Sequence, residues 1–178
     1  MNNPKRCFVI APIGADGSPT RQRSDQVFTH VIEPVARECG YSEVVRADHI
    51  LTPGIITAQI VRHILEDDMV IADLTGHNAN VFYELAVRHV IGRPVVQMMQ
   101  MDEGVPFDLA GLRTIFLNYQ DLDSVQKAKR ELRRQMRVAE EDSQSLENPV
   151  SMALAMSPEL GASFNRGGYS SASPVVSG

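Results

Sequence analysis

The stretch Ala72-Asp73-Leu74-Thr75-Gly76-His77-Asn78-Ala79-Asn80-Val81-Phe82-Tyr83-Glu84-Leu85 carries a dense set of groups able to do chemistry. Asp73 closes an apolar run. A carboxylate is unusual there unless it acts on a ligand or caps the following turn. Asn78 and Asn80 suit tight backbone geometry, and Asn80 is placed to N-cap a helix that starts beside it. Glu84 then falls in the first helical turn, next to Phe82 and Tyr83. Dipole complementarity alone explains a Glu in that turn. At a ligand crevice the same carboxylate could attack a sugar carbon or stabilise a cationic sugar.

A second polar segment, residues 13–24, holds two Gly, one Pro, two Ser and two Arg. Gly14, Gly17, Ser18, Arg21, Arg23 and Ser24 lie just before an expected helix N-terminus. Backbone N–H groups and the helix dipole attract an anion to such a place. Arg21 and Arg23 add bidentate geometry for phosphate. The bland alternative is a solvated surface loop. The segment matches neither G-x-G-x-x-G nor the Walker pattern, which excludes the standard dinucleotide and P-loop readings.

Other chemistries find less support. Histidines 30, 49, 63, 77 and 89 show no ligand spacing, so no metal and no cofactor are expected. There is no Gly-x-Ser-x-Gly elbow, and Cys7 sits inside an expected strand. His77 reads as a surface residue, and the eight Met as core filling.

The elements that must position these groups follow from periodicity. Short apolar runs at residues 7–11, 42–47, 69–72, 94–99 and 114–117 read as strands, the first and third as buried parallel ones. Helices are expected over residues 25–39 with Ser24 as N-cap, from Pro53 and Gly54 to residue 64 or 65, over 81–91, and over 122–139. Pro34 should kink or split the first of these, and Gly40 and Gly92 close helices. The apolar stripes are Ile56, Ile60, Val61 and Ile64 in the second, and Leu122, Val125, Leu132, Met136 and Ala139 in the last. The basic face of the last helix reads as solvated.

Strand and helix alternate five times, which predicts an α/β domain: a five-stranded parallel sheet with helices on both faces. Five strands favour a flavodoxin-like order of 2-1-3-4-5. In such sheets ligands bind beyond the carboxyl ends of the strands at the switch point, here between strands one and three. Segments 13–24 and 73–80 converge there.

The 178 residues suit one domain, at 43% hydrophobic and 22% charged. This domain is expected over residues 1–142. The last 36 residues hold nine Ser and only three charged residues, so residues 143–178 read as a tail and 161–178 as disordered. Residues 149–156 are the one part of it expected to pack. A net charge of -5 offers no global basic field, and nucleic acid is not an expected partner. Two cysteines without metal or redox spacing suit a reducing compartment. No segment reads as a signal peptide or membrane span. A soluble, cytoplasmic protein is the expectation.

Three segments resemble the nucleoside 2-deoxyribosyltransferase-like group, itself distantly similar to TIR domains. They are Phe8-Val9-Ile10-Ala11-Pro12-Ile13-Gly14, Arg23-Ser24-Asp25, and Ala72-Asp73-Leu74-Thr75 through Tyr83-Glu84-Leu85-Ala86. Pro106-Phe107-Asp108-Leu109 and Arg113 resemble the TIR-like subgroup, and the similarity spans about residues 7–119. The resemblance implies a flavodoxin-like fold and cleavage of an N-glycosidic bond, with a Glu that forms a glycosyl-enzyme intermediate. Glu84 matches that Glu. The group's sugar-binding Asp, six residues earlier, is Asn78 here. The TIR similarity implies NAD cleavage or nucleotide sensing by an oligomer. On this reading Glu84, Asp73 and Asn78 act on the substrate. Ile13, Gly14, Arg21, Arg23, Ser24, Asn80 and Tyr83 bind it. The implied ligand is a nucleotide, a nucleoside monophosphate or NAD, handled by hydrolysis or base transfer in a homo-oligomer.

Overall fold

The structure, a computed structural model, describes residues 4–50, 55–141, 148–157 and 159. Five strands form one parallel sheet: β1 (Arg6–Ile10), β2 (Glu43–Arg46), β3 (Met69–Asp73), β4 (Val95–Gln100) and β5 (Thr114–Leu117). Their order is β2-β1-β3-β4-β5, the flavodoxin-like order expected. The reversal falls between β1 and β3, and sheets of this kind bind ligands beyond the carboxyl ends of the strands at that point.

Alternation along the strands divides the core into two layers, because successive side chains point to opposite faces. Cys7 and Val9 of β1 pack with Ile71, Met98 and Ile115 on one face. Helices α1 (Pro19–Val27), α2 (Glu33–Glu38) and α5 (Leu122–Glu141) cover it. Phe8 and Ile10 pack with Val70, Ala72 and Met99 on the other, under α3 (Ile56–Glu66) and α4 (Ala79–Val90). A short α6 (Pro149–Met156) lies against α4, where Asn148 donates from Nδ2 to the His89 carbonyl at 3.3 Å. The expected short element at 149–156 is therefore a helix. Among the described residues no helix is long and apolar enough to cross a membrane.

The first helix departs from expectation in an informative way. It begins at Pro19, not Asp25, and Ser18 rather than Ser24 is its N-cap, accepting from the Arg21 N–H at 3.1 Å. Pro at the first helical position costs nothing, because that N–H has no partner anyway. The polar composition of residues 19–24 hid this turn from an apolar-periodicity reading. Downstream, Pro34 does split the helix. It has no N–H for the His30 carbonyl, and the backbone widens to a π segment over Phe28–Ile32 in which the Glu33 N–H reaches Phe28.

Two apolar stripes are less buried than their spacing suggests. Ile56 is 63% exposed and Leu122 is 81% exposed, and each is the first residue of its helix. Ile64, Leu132, Met136 and Ala139 are buried as expected. Pro53, Gly54, the domain boundary at 142/143 and the tail at 161–178 lie outside the described residues.

Candidate functional site

The turn after β3 is built by Asp73. Its side chain is 1% exposed, and its Oδ1 accepts from the Thr75 N–H at 3.2 Å and the Thr75 hydroxyl at 2.6 Å. That is an Asx turn closing a buried strand. The guanidinium of Arg23 crosses from α1 and donates to both Asp73 oxygens, at 2.5 and 3.4 Å. The Thr75 hydroxyl also accepts from the Gln100 N–H at 3.0 Å, which ties the turn to the end of β4. Asp73 is thus fully engaged as a turn and ion-pair residue. These bonds hold the loop.

The rest of this loop is clamped from the β4 side. The Gly76 N–H donates to Glu103 at 2.7 Å, and His77 Nε2 meets the Gly104 carbonyl at 2.9 Å. His77 has a left-handed φ of 50° and stacks on Phe82. It belongs to the loop's scaffold. Asn78 then starts α4: its side-chain oxygen accepts from the N–H groups of Asn80 and Val81. The N-cap is therefore Asn78, not Asn80, and the helix starts two residues earlier than expected. A neutral Asn caps as well as an Asp. Asn80 and Tyr83 are exposed, Tyr83 at 67%.

This shift changes what Glu84 means. Counted from Ala79, Glu84 is the sixth helical residue and lies in the second turn; the first turn of α4 holds no acid. Dipole complementarity falls off within the first turn, so it does not explain Glu84. The carboxyl is partly buried, and burial pushes its pKa up to about 7. No described residue forms a hydrogen bond or ion pair with it, and no neighbouring charge contributes to the shift. A desolvated acid without a partner among the described residues, on the helix after β3, is a candidate acid, base or nucleophile.

The arginine loop is arranged otherwise than the sequence suggested. Arg21 meets Asp16, Asp25 and Asp48 at 3.4, 3.1 and 3.0 Å. Arg46, closing β2 and 1% exposed at its side chain, reaches Asp25 at 2.5 Å and Asp48 at 2.6 Å. It also donates to the Ser24 hydroxyl at 3.0 Å. Hydrogen bonding from Arg46 lowers the Asp25 pKa. At Asp48 burial opposes ionisation, but Arg46 outweighs it and the pKa is again lowered. Arg23 is spent on Asp73. Three arginines thus face four aspartates, and the expected phosphate clamp of Arg21 and Arg23 is a closed ion-pair network. Ser24 is buried inside α1, so it presents no helix N-terminus.

What remains for an anion is backbone. Ile13 is half-buried, and Gly14 has φ +69°; a Cβ there would lie 2.7 Å from Ser18 Oγ. Only glycine fits that turn. The residues that organise the edge, Thr75, Gln100, Glu103, Arg46 and Asp48, were missed from sequence. Arg46 alone carried a signal, a charge closing an apolar strand, as Asp73 does. Among the described residues no three His, Cys, Asp or Glu gather to hold a metal.

No family model and no curated protein matches the sequence. Solved structures do share the fold. One is a 2-deoxyribosyltransferase from the psychrotolerant bacterium Bacillus psychrosaccharolyticus, with TM-score 0.50 and 13% identity, covering 66% of this chain and 90% of that one. Another is the CMP N-glycosidase of Clostridium botulinum, with TM-score 0.50 and 18% identity, covering 71% of this chain and 99% of that one. At such identities the likeness establishes the fold.

Proposed function

We propose that this chain cleaves the bond between a sugar C1′ and a base nitrogen in a nucleoside or nucleotide, with Glu84 as the reacting carboxylate. The observation that carries the reading is the unpartnered, desolvated Glu84 in the second turn of the helix after β3, at the switch point. A 2-deoxyribosyltransferase and a CMP N-glycosidase with the same fold support the choice of bond.

In this scheme ionised Glu84 attacks C1′, and the C1′–N electron pair leaves with the base, which takes up a proton. Water or a second base then attacks C1′ and frees the carboxylate. Asp73, through Arg23 and Thr75, fixes the turn from which α4 starts, and Asn78 fixes its first N–H groups. Asn78 retains a side-chain N–H₂ able to donate to a sugar hydroxyl. A substrate phosphate would rest on backbone N–H groups near Gly14 and Ser18, because Arg21 and Arg23 are neutralised.

Chromatography for free base, after incubation with ribo- and deoxyribonucleosides, their monophosphates and NAD, tests the reading. Base release from at least one substrate, lost in Glu84→Ala, is expected. Release from none, or release unchanged in Glu84→Ala, refutes it. Adding a second base separates transfer from hydrolysis, because only transfer yields a new nucleoside.

A further inference from the structure

At the opposite end of the sheet, beside the amino ends of β4 and β5, a cleft of about 600 Å³ opens between the ends of α4 and α5. Its volume lies within the range of small-molecule sites. Leu112 and Val138 give it apolar wall, Val138 being 52% exposed. Arg93, Arg113 and Arg134 line it, and among the described residues no acidic side chain does.

These arginines differ in their commitments. Arg134 already holds Glu131 at 2.6 Å. Arg93 donates from Nη1 to the carbonyls of Leu65 and Glu66, at 2.7 and 2.9 Å, and forms no salt bridge among the described residues. Arg113 has no hydrogen bond or ion pair among the described residues. Two guanidinium groups without a salt bridge among the described residues therefore face one concavity, and the charge of Arg113 is felt by Glu131 only at a distance. His89 adds a buried imidazole on the cleft wall whose ring makes no hydrogen bond to a described residue.

We propose that this cleft binds a small organic anion, a phosphate or carboxylate carried on an apolar or aromatic body. The guanidinium forks suit the headgroup bidentately. Leu112 and Val138 suit the body. Concavity favours a small molecule, since a nucleic-acid backbone needs an open basic stripe. The site is separate from the reaction assigned to Glu84 and stands without it.

The test is titration of the full chain, with labelled Leu and Val methyl groups, by phenyl phosphate and by benzoate. Methyl phosphate and acetate serve as probes without an aromatic body. Saturable shifts at Leu112 and Val138 are expected with at least one aromatic anion, and whichever binds identifies the headgroup. The corresponding small anion should bind at least tenfold more weakly. Arg113→Glu, a change at an exposed residue with no hydrogen bond or salt bridge among the described residues, should weaken binding at least tenfold. Glu84→Gln should leave it unchanged. No saturable shift with either aromatic anion, shifts centred on other methyl groups, equal binding of the small anions, or wild-type binding by a folded Arg113→Glu protein would each overturn the proposal.

Discussion

The two ends of the sheet treat charge in opposite ways. At the carboxyl ends of β1 to β3, Arg21, Arg23 and Arg46 are matched by Asp16, Asp25, Asp48 and Asp73, while Glu84 stands without a partner. At the amino ends of β4 and β5, Arg93 and Arg113 line a cleft and form no salt bridge among the described residues. An arginine in a ligand-facing loop is therefore weak evidence for an anion site. What decides is whether the same network already supplies the counter-charge. The unmatched group at each end is the one free to meet a ligand, an acid at one and bases at the other.

The largest effect that would break this contrast is chemical. Glu84→Gln should reduce base release by at least about a thousandfold, a scale set by the loss of a covalent catalyst. Activity of the wild-type enzyme should rise with pH through about 7, because the nucleophile must lose the proton that burial makes it hold. A flat profile of kcat/KM from pH 5.5 to 8.5 would remove Glu84 from the reaction.

Next in size is the buried pair. Arg23→Met or Asp73→Asn alone should cost about 3–5 kcal/mol, since each leaves a buried partner unmatched. Changing both, Arg23→Met with Asp73→Leu, should recover part of that loss. Urea unfolding of the three variants measures it, and additive losses would show that the pair is not coupled. By contrast Arg113→Glu should stay within about 0.5 kcal/mol of wild type, as surface changes do.

Smaller effects separate scaffold from chemistry. Asn78→Ala should cost about 1 kcal/mol through the lost N-cap, and Asn78→Asp should retain it. Glu84 carries a linkage of defined sign. Its folded pKa of about 7 lies above the ordinary carboxyl value, so the folded state holds a proton that the unfolded chain releases. Stability from this group is complete at low pH and declines as pH rises through the window from about 4.3 to 7. Glu84→Gln should therefore match wild type in unfolding free energy at pH 4 and exceed it at pH 8, by on the order of 1 kcal/mol, with a correspondingly higher Tm. Equal Tm at both values would mean that the carboxyl is not desolvated.

The fold was largely legible in the sequence. Apolar runs bounded by Gly and Pro located all five strands, and their alternation with helices implied the order β2-β1-β3-β4-β5. Burial on both faces of a parallel sheet leaves few residue types able to form such runs. The site was legible in part. The position of Asp73, the asparagine at the start of α4 and the place of the switch point in the strand order follow from local pattern. The start of α1 did not, because residues 19–24 are polar and show no apolar period. Neither did the exposure of Ile56 and Leu122, because spacing marks a helical face but not where that face meets the sheet.

Sequence alone determined that Glu84 and Asp73 lie on one strand-to-helix segment, since only ten residues separate them. Only the tertiary structure decided their different fates. Arg23, fifty residues from Asp73, neutralises that aspartate, while no described residue reaches Glu84. Long-range pairing sets the charge and solvation of each carboxylate, and local sequence carries no record of which distant partner arrives.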